Sequence, residues 1–183
     1  VGGGLTDSGG KVFRWTQTDG MIELGLSGFA RGVSADGSVV VAENGARTFR
    51  WTQSGGWVDL GFAAGHMTAR PTDISADGSV IVGTGDLPFS RNEGFRWTQS
   101  GGMVGLGFVP GESRSRAQGV SADGSVVVGT VDISLPGIGT AQRAARWTQS
   151  NGWVELGALP GGSGFSSANS VSADGNVIVG GTG

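Results

Sequence analysis

Val33-Ser34-Ala35-Asp36-Gly37-Ser38-Val39-Val40-Val41 returns three more times along the chain, as Ile74 to Gly83, Val120 to Gly129 and Val171 to Gly180. In every copy an Ala-Asp-Gly triplet separates two segments that favour extended backbone. Glycine takes a positive φ without a Cβ clash and aspartate suits the position before it. The triplet therefore fits a type I turn closed by a left-handed residue, and the β-branched valines after it fit a strand. The block is a β-hairpin by its own chemistry.

A second block alternates with the first. Phe13-Arg14-Trp15-Thr16-Gln17 returns as Phe49 to Gln53, Phe95 to Gln99 and Ala145 to Gln149, and a Leu-Gly pair follows nine residues after each tryptophan. The intervening triplets, Thr18-Asp19-Gly20, Ser54-Gly55-Gly56, Ser100-Gly101-Gly102 and Ser150-Asn151-Gly152, suit the same turn. Asp36, Asp77, Asp123 and Asp174 are separated by 41, 46 and 51 residues, so the units lengthen between blocks while the blocks stay intact. Insertions in connections cost little. No stretch shows helical apolar periodicity, which predicts almost no helix.

Each unit supplies four short strands: Phe-Arg-Trp-Thr, the strand ending in Leu-Gly, the one ending in Val/Ile-Ser, and the valine-rich one. Val39, Val40 and Val41 leave no polar alternation, so both faces of that strand need cover from neighbouring units. Units of roughly 45 residues that cover each other's faces describe propeller blades. The expected fold is all-β, a β-propeller-like array of four repeated four-stranded antiparallel blades. It forms a single repeat domain over 1–183, with repeats at about 5–42, 43–83, 84–129 and 130–180 and residues 1–4 as a partial strand of a preceding repeat. Val1-Gly2-Gly3-Gly4 resembles Val179-Gly180-Gly181-Thr182 and is surplus to a four-blade ring. The expected partners are accordingly further copies in a homo-oligomer, joined by strand addition, or neighbouring repeats of a longer chain.

Composition narrows the remaining classes. The chain has 183 residues, a net charge of -3, only 15% charged residues, 38 glycines and no cysteine. That balance offers no electrostatic footprint for nucleic acid. No apolar run reaches the roughly 18 residues of a membrane-spanning helix. Without cysteine, neither disulfides nor thiolate metal sites are expected.

The two blocks together resemble the bacterial HAF repeats, a family of extracellular repeats, over nearly the whole chain. The Ala158-Leu159-Pro160-Gly161-Gly162-Ser163 segment is similar to that family's linker. Unit one departs from it, with only Leu26 to Gly32 between its Leu-Gly and Val33. The resemblance implies a repeat architecture at the cell surface or outside the cell. It carries no catalytic residues.

The chemistry-bearing side chains each have a structural reading. Trp15, Trp51, Trp97 and Trp147 recur at one position, and Trp57 and Trp153 alternate with Met21 and Met103; both patterns fit apolar packing better than sugar stacking. Arg14, Arg50, Arg96 and Arg146 are expected to pair within the fold. Glu23, Asp59 and Glu155 lie across the hairpin from them, but unit three has Gly105 there. A lone Asp-Gly turn supplies too few oxygens for calcium. Gly83-Thr84-Gly85 and Gly161-Gly162-Ser163-Gly164 lack the following helix of a phosphate cradle. His66, the only histidine, is expected on a surface loop. A glycosidase would need two carboxylates roughly 5–9.5 Å apart. Asp73, Asp86, Glu93, Glu112 and Asp132 are the candidates, and nothing singles out a pair.

The sequence therefore assigns no catalytic, cofactor-binding or metal-binding residue, and points to no enzyme and no cofactor. The expected function is a non-catalytic extracellular structural or assembly protein that self-associates by strand complementation. The alternative is a binding module for a glycan or protein, with its site on the unequal loops at Thr84 to Gly94, Phe108 to Arg116 and Thr130 to Ala144.

Overall fold

A computed structural model of the chain describes residues 2–6, 9–135, 137, 139–161 and 164–183. Val1 of the leading fragment, and Gly162 and Ser163 of the linker and glycine-rich run, lie outside the described residues. No helix occurs among the described residues. The strands of the described residues form five antiparallel sheets. Sheet one holds β1 (Gly2–Thr6), β2 (Gly9–Thr16) and β3 (Gly20–Ser27). Sheet two is β4 (Phe29–Val33), β5 (Val39–Asn44), β6 (Arg47–Thr52) and β7 (Gly56–Asp59). Sheet three is β8 (Arg70–Ile74), β9 (Val80–Leu87), β10 (Arg91–Thr98) and β11 (Gly102–Gly105). Sheet four is β12 (Ser115–Val120), β13 (Val126–Leu135), β14 (Gly139–Thr148) and β15 (Gly152–Gly157), and sheet five pairs β16 (Ser166–Val171) with β17 (Ile178–Thr182).

The expectation of four repeated four-stranded blades is thus corrected, among the described residues, to three four-stranded sheets, one of three strands and one of two. The reason lies in phase. The valine-rich hairpin opens a sheet and the Phe-Arg-Trp-Thr hairpin closes it, so each complete sheet joins the second half of one sequence repeat to the first half of the next. Gly2, Gly3 and Gly4 of the leading fragment open β1, which pairs with β2 in the register that the valine-rich strands use: Gly2 faces Phe13 as Gly83 faces Phe95.

The Ala-Asp-Gly turns form as the residues require. Gly37, Gly78 and Gly124 each have φ of 71° and Gly175 has 74°. The Asp36 carboxylate accepts the Ser34 and Ser38 hydroxyls and the Ser38 N–H at 2.6, 2.9 and 3.0 Å, while Val39 N–H donates to the Ser34 hydroxyl at 3.0 Å. The hydrogen bond from Ser34 and then those from Ser38 hold the Asp36 carboxyl down to about 2, against an ordinary value of 3.8. Asp123 sits likewise at about 2, and Asp77 and Asp174 are also lowered. Carboxyls lowered by folding stabilise the fold above their unfolded pKa, and that contribution disappears as pH falls through the folded value. Thermal stability should therefore decline between pH of about 4 and about 2. Asp36→Asn should make the decline shallower, which acid-range thermal melts would read directly.

The turns also join the sheets. Ala35 N–H donates to Ala76 C=O at 2.8 Å, Ala76 N–H to Ala122 C=O at 3.1 Å, and Ala122 N–H to Ala173 C=O at 3.0 Å. This backbone belt runs along the innermost strands, where β4, β8, β12 and β16 pack in succession. Each of these strands carries a bulge, at Arg31, Thr72, between Ala117 and Gly119, and between Ala168 and Ser170. A Cβ at Gly83, Gly129 or Gly180 would collide with the carbonyl of Arg70, Arg116 or Ser167, which accounts for the glycine that ends Val-Val-Val-Gly.

Apolar cores fill the gaps between sheets. The valine-rich strand serves two of them: Val40 packs with Val12 and Trp51 towards sheet one, while Val39 and Val41 pack with Ile81, Phe95 and Trp97 towards sheet three. Sheet four repeats this, with Val127 towards sheet three and Val126 and Val128 towards sheet five. A buried valine of this kind contributes roughly 1.5–3 kcal/mol. Each interior tryptophan therefore packs against the sheet before its own, and the Trp147 indole N–H donates back to Leu106 C=O at 3.2 Å. The arginines reach in the opposite direction. Arg14 and Arg96 donate to Gly37 and Gly124 carbonyls of the next sheet at 3.3 and 3.4 Å, and Arg50 lies 5.9 Å from the Trp97 ring centroid.

Candidate functional site

The acids across the first hairpin do not pair with those arginines. They pair with the residue three positions earlier: Lys11 with Glu23 at 3.2 Å, Arg47 with Asp59, and Arg143 with Glu155 at 3.6 Å. Unit three breaks the pattern at both ends. Glu93 stands where the others carry a cation, and Gly105 where they carry an acid. A Cβ at Gly105 would run into the Glu93 carboxylate, so the two changes belong together.

Glu93 takes His66 as its partner instead, with Nε2 and Oε2 2.9 Å apart, and its other oxygen accepts the Gly107 N–H at 2.8 Å. Burial raises the Glu93 carboxyl, but the hydrogen bonds from His66 and Gly107 outweigh it and hold the group below its ordinary value. The His66 side chain is fully enclosed, correcting the expectation of a surface histidine. Its loop closes down on the β9–β10 hairpin, where Met67 N–H donates to Asp86 C=O at 2.8 Å. Gly85 lies directly beneath the imidazole and leaves no room for a side chain. The dyad links the connection before sheet three, strand β10 and the connection after sheet three. Among the described residues no cluster of His, Asp and Glu is large enough to hold a metal ion.

On the opposite face of the same hairpin a groove of about 560 Å³ opens beside the innermost strands. A relay of polar contacts crosses it. Arg31 donates to Glu43 at 2.7 Å, Glu43 faces Arg70 at 3.6 Å, and Arg70 donates to Asp86 at 2.7 Å. Asn92 then donates to Asp86 at 2.8 Å and accepts from Arg116 at 2.9 Å. The Asp86 carboxyl is held below its ordinary value, first by Arg70 against the opposing effect of burial, then by Thr68 and Asn92. Sequence reading had singled out Asp86 as a carboxylate, and Asn92 and Arg116 only as members of the segments Thr84 to Gly94 and Phe108 to Arg116. The available signal was positional, since Arg70 and Arg116 both stand five residues before the serine of an Ala-Asp-Gly turn.

The other candidate carboxylates are dispersed. Asp73 accepts the Val120 N–H of the next sheet at 2.9 Å, and burial raises its pKa. Glu112 accepts the Ser134 N–H at 2.7 Å, and Asp132 faces Arg114 at 3.6 Å. Each is engaged by its own donor. Of the three segments expected as loops, two are mostly strand: β9–β10 and β13–β14 extend as hairpins rather than opening into loops.

No family model matches the chain, and no curated protein does. Solved structures do. A protein described as TolB from Agrobacterium tumefaciens aligns with a TM-score of 0.64 at 15% identity, over 93% of this chain and 60% of that one. TolB from Acinetobacter baumannii aligns with a TM-score of 0.64 at 16% identity, over 93% of this chain and 42% of that one. The chain thus spans less than two thirds of either. At such identity the likeness concerns the fold alone, and the chain is an all-β array of antiparallel sheets similar to part of a TolB-like β-propeller.

Proposed function

We propose that the chain is a non-catalytic structural module of the cell exterior that associates with further copies of itself through its two end faces. The resemblance to bacterial HAF repeats supports the location. The observation that carries the assembly reading is that apolar side chains buried at every internal interface have exposed counterparts on the two end sheets.

Trp51, Trp97 and Trp147 are 8%, 6% and 7% exposed, each covered by the sheet before it, whereas Trp15 at the equivalent place in sheet one is 57% exposed beside Met21. At the other end Val177 and Val179 are 60% and 58% exposed. Their counterparts Val39, Val41, Val80, Val82, Val126 and Val128 are all buried under the following sheet. An apolar recess of about 320 Å³ lined by Leu156, Leu159 and Ile178 adjoins β17, where complete sheets carry their third strand. Such unpaired edges and apolar faces favour pairing with a matching unit.

Light scattering over a concentration series, with negative-stain imaging of the same samples, tests this. The wild type should grow into longer assemblies. Trp15→Asp and Val179→Asp should each be monomeric alone, because both side chains are exposed and each variant loses one face. Mixed, the two variants should form a dimer and stop there, since one intact face of each kind remains. A wild type that stays monomeric at high concentration, or variants that assemble unchanged, would overturn the reading.

A further inference from the structure

We infer that the groove beside β4, β8 and β12 is a binding site for a saccharide bearing a carboxylate, such as a uronic acid residue. This goes beyond the assembly reading and does not depend on it, because the groove lies within the array and away from both end faces.

The argument begins with charge. The relay contains three arginines and two carboxylates, and its members are not equally matched. Glu43 and Asp86 are shared between Arg31 and Arg70, while Arg116 makes no ion pair among the described residues and spends one N–H on Asn92. A guanidinium carries five N–H donors in a planar fork. Arg116 therefore retains donors suited to a carboxylate, and Asn92 fixes its approach.

Shape and polarity narrow the class further. A volume of about 560 Å³ falls within the roughly 300–1,000 Å³ of small-molecule sites. The lining is dominated by charged and hydroxyl-bearing side chains, with Ala30 and Pro71 as its apolar contribution. Such walls fit a hydroxylated ligand better than an apolar peptide side chain. The Thr84 hydroxyl makes no side-chain hydrogen bond among the described residues, and the carboxylates of Glu43 and Asp86 have lone pairs to accept ligand hydroxyls. The same two carboxylates repel a compact dianion, which disfavours phosphate. One net positive charge surrounded by hydroxyl partners matches a monoanionic sugar.

The probes are a galacturonate trimer, the neutral galactose trimer and inorganic phosphate, each titrated into the full chain by calorimetry and by amide NMR. The acidic trimer should saturate, bind at least about tenfold more tightly than the neutral one, and shift the amides of Thr84, Asp86, Asn92 and Arg116. Arg116→Gln, which keeps a donor to Asn92 but removes the charge, should weaken it by about tenfold. Thr84→Val should weaken it by a smaller factor and guards against a folding defect at Arg116. Equal affinity for the two trimers, tighter binding of phosphate, shifts confined to other residues, or no saturation at millimolar ligand would each overturn the proposal. Running the titrations on the Trp15→Asp variant separates this outcome from the behaviour of the end faces.

Discussion

Phe95→Ala should lower the unfolding free energy by about 3–5 kcal/mol. Phe95 is the bulkiest fully buried side chain, wedged in sheet three among Val39, Val41, Ile81 and Trp97, and its ring lies against Gly83 of the adjacent strand. Truncation removes its apolar surface from the core and leaves a void that two antiparallel sheets, tied together at Ala35 and Ala76, cannot close. For a chain of this length the melting temperature should drop by roughly 6–20 °C. Phe13→Ala provides the comparison. Phe13 holds the same repeat position in sheet one but is only partly buried, so its loss should be less than half as large. Equal losses at the two sites would contradict the difference in burial between Phe95 and Phe13.

Glu93→Ala should be the second large effect, at about 3 kcal/mol. The substitution strands the His66 imidazole and the Gly107 N–H in a closed site, and a buried polar group left without its partner costs about 1–3 kcal/mol. The imidazole Nδ1 already lacks a partner, so the ring has no second contact to fall back on. The double variant His66→Ala/Glu93→Ala should cost less than the sum of the single ones by about 1–3 kcal/mol, because residues in one hydrogen-bonded network are not additive. Chemical unfolding of the four proteins of the cycle measures that coupling. Strict additivity would mean that the dyad is not a latch.

How far the residues reveal these features depends on the range of the interaction. The turns at Asp36, Asp77, Asp123 and Asp174 were legible because their geometry is set within five residues, by a serine, an aspartate and a glycine. The strands were legible for the same reason. The phase of the sheets was not, since Phe-Arg-Trp-Thr and the valine-rich segment can join in either order in a linear text, and only the hydrogen-bonded register of β5 with β6 decides it. Tryptophan burial followed the rule of apolar packing at Trp51, Trp97 and Trp147 and failed at Trp15, whose exposure depends on which sheet stands before it.

The candidate sites were harder still. Gly105 was visible as the missing acid of unit three, but the compensating Glu93 and His66 come from strand β10 and a loop 27 residues away in sequence. The groove draws Arg31, Arg70 and Arg116 from three sheets. Apart from the shared position of Arg70 and Arg116 ahead of their turns, neither arrangement leaves a short-range pattern.

The belt of alanine amides has a polarity. Ala35, Ala76 and Ala122 all donate towards the following sheet, so one side of every turn offers hydrogen and the other offers oxygen. Two arrays related by a twofold axis would meet donor to donor or acceptor to acceptor along this line. Only a head-to-tail relation, by a rotation of higher order, a translation or a screw rotation, presents unlike sides to one another. In the proposed assembly, growth that prolongs the belt would therefore be one-way, and its products would be closed rings or directional fibres whose two tips are chemically different.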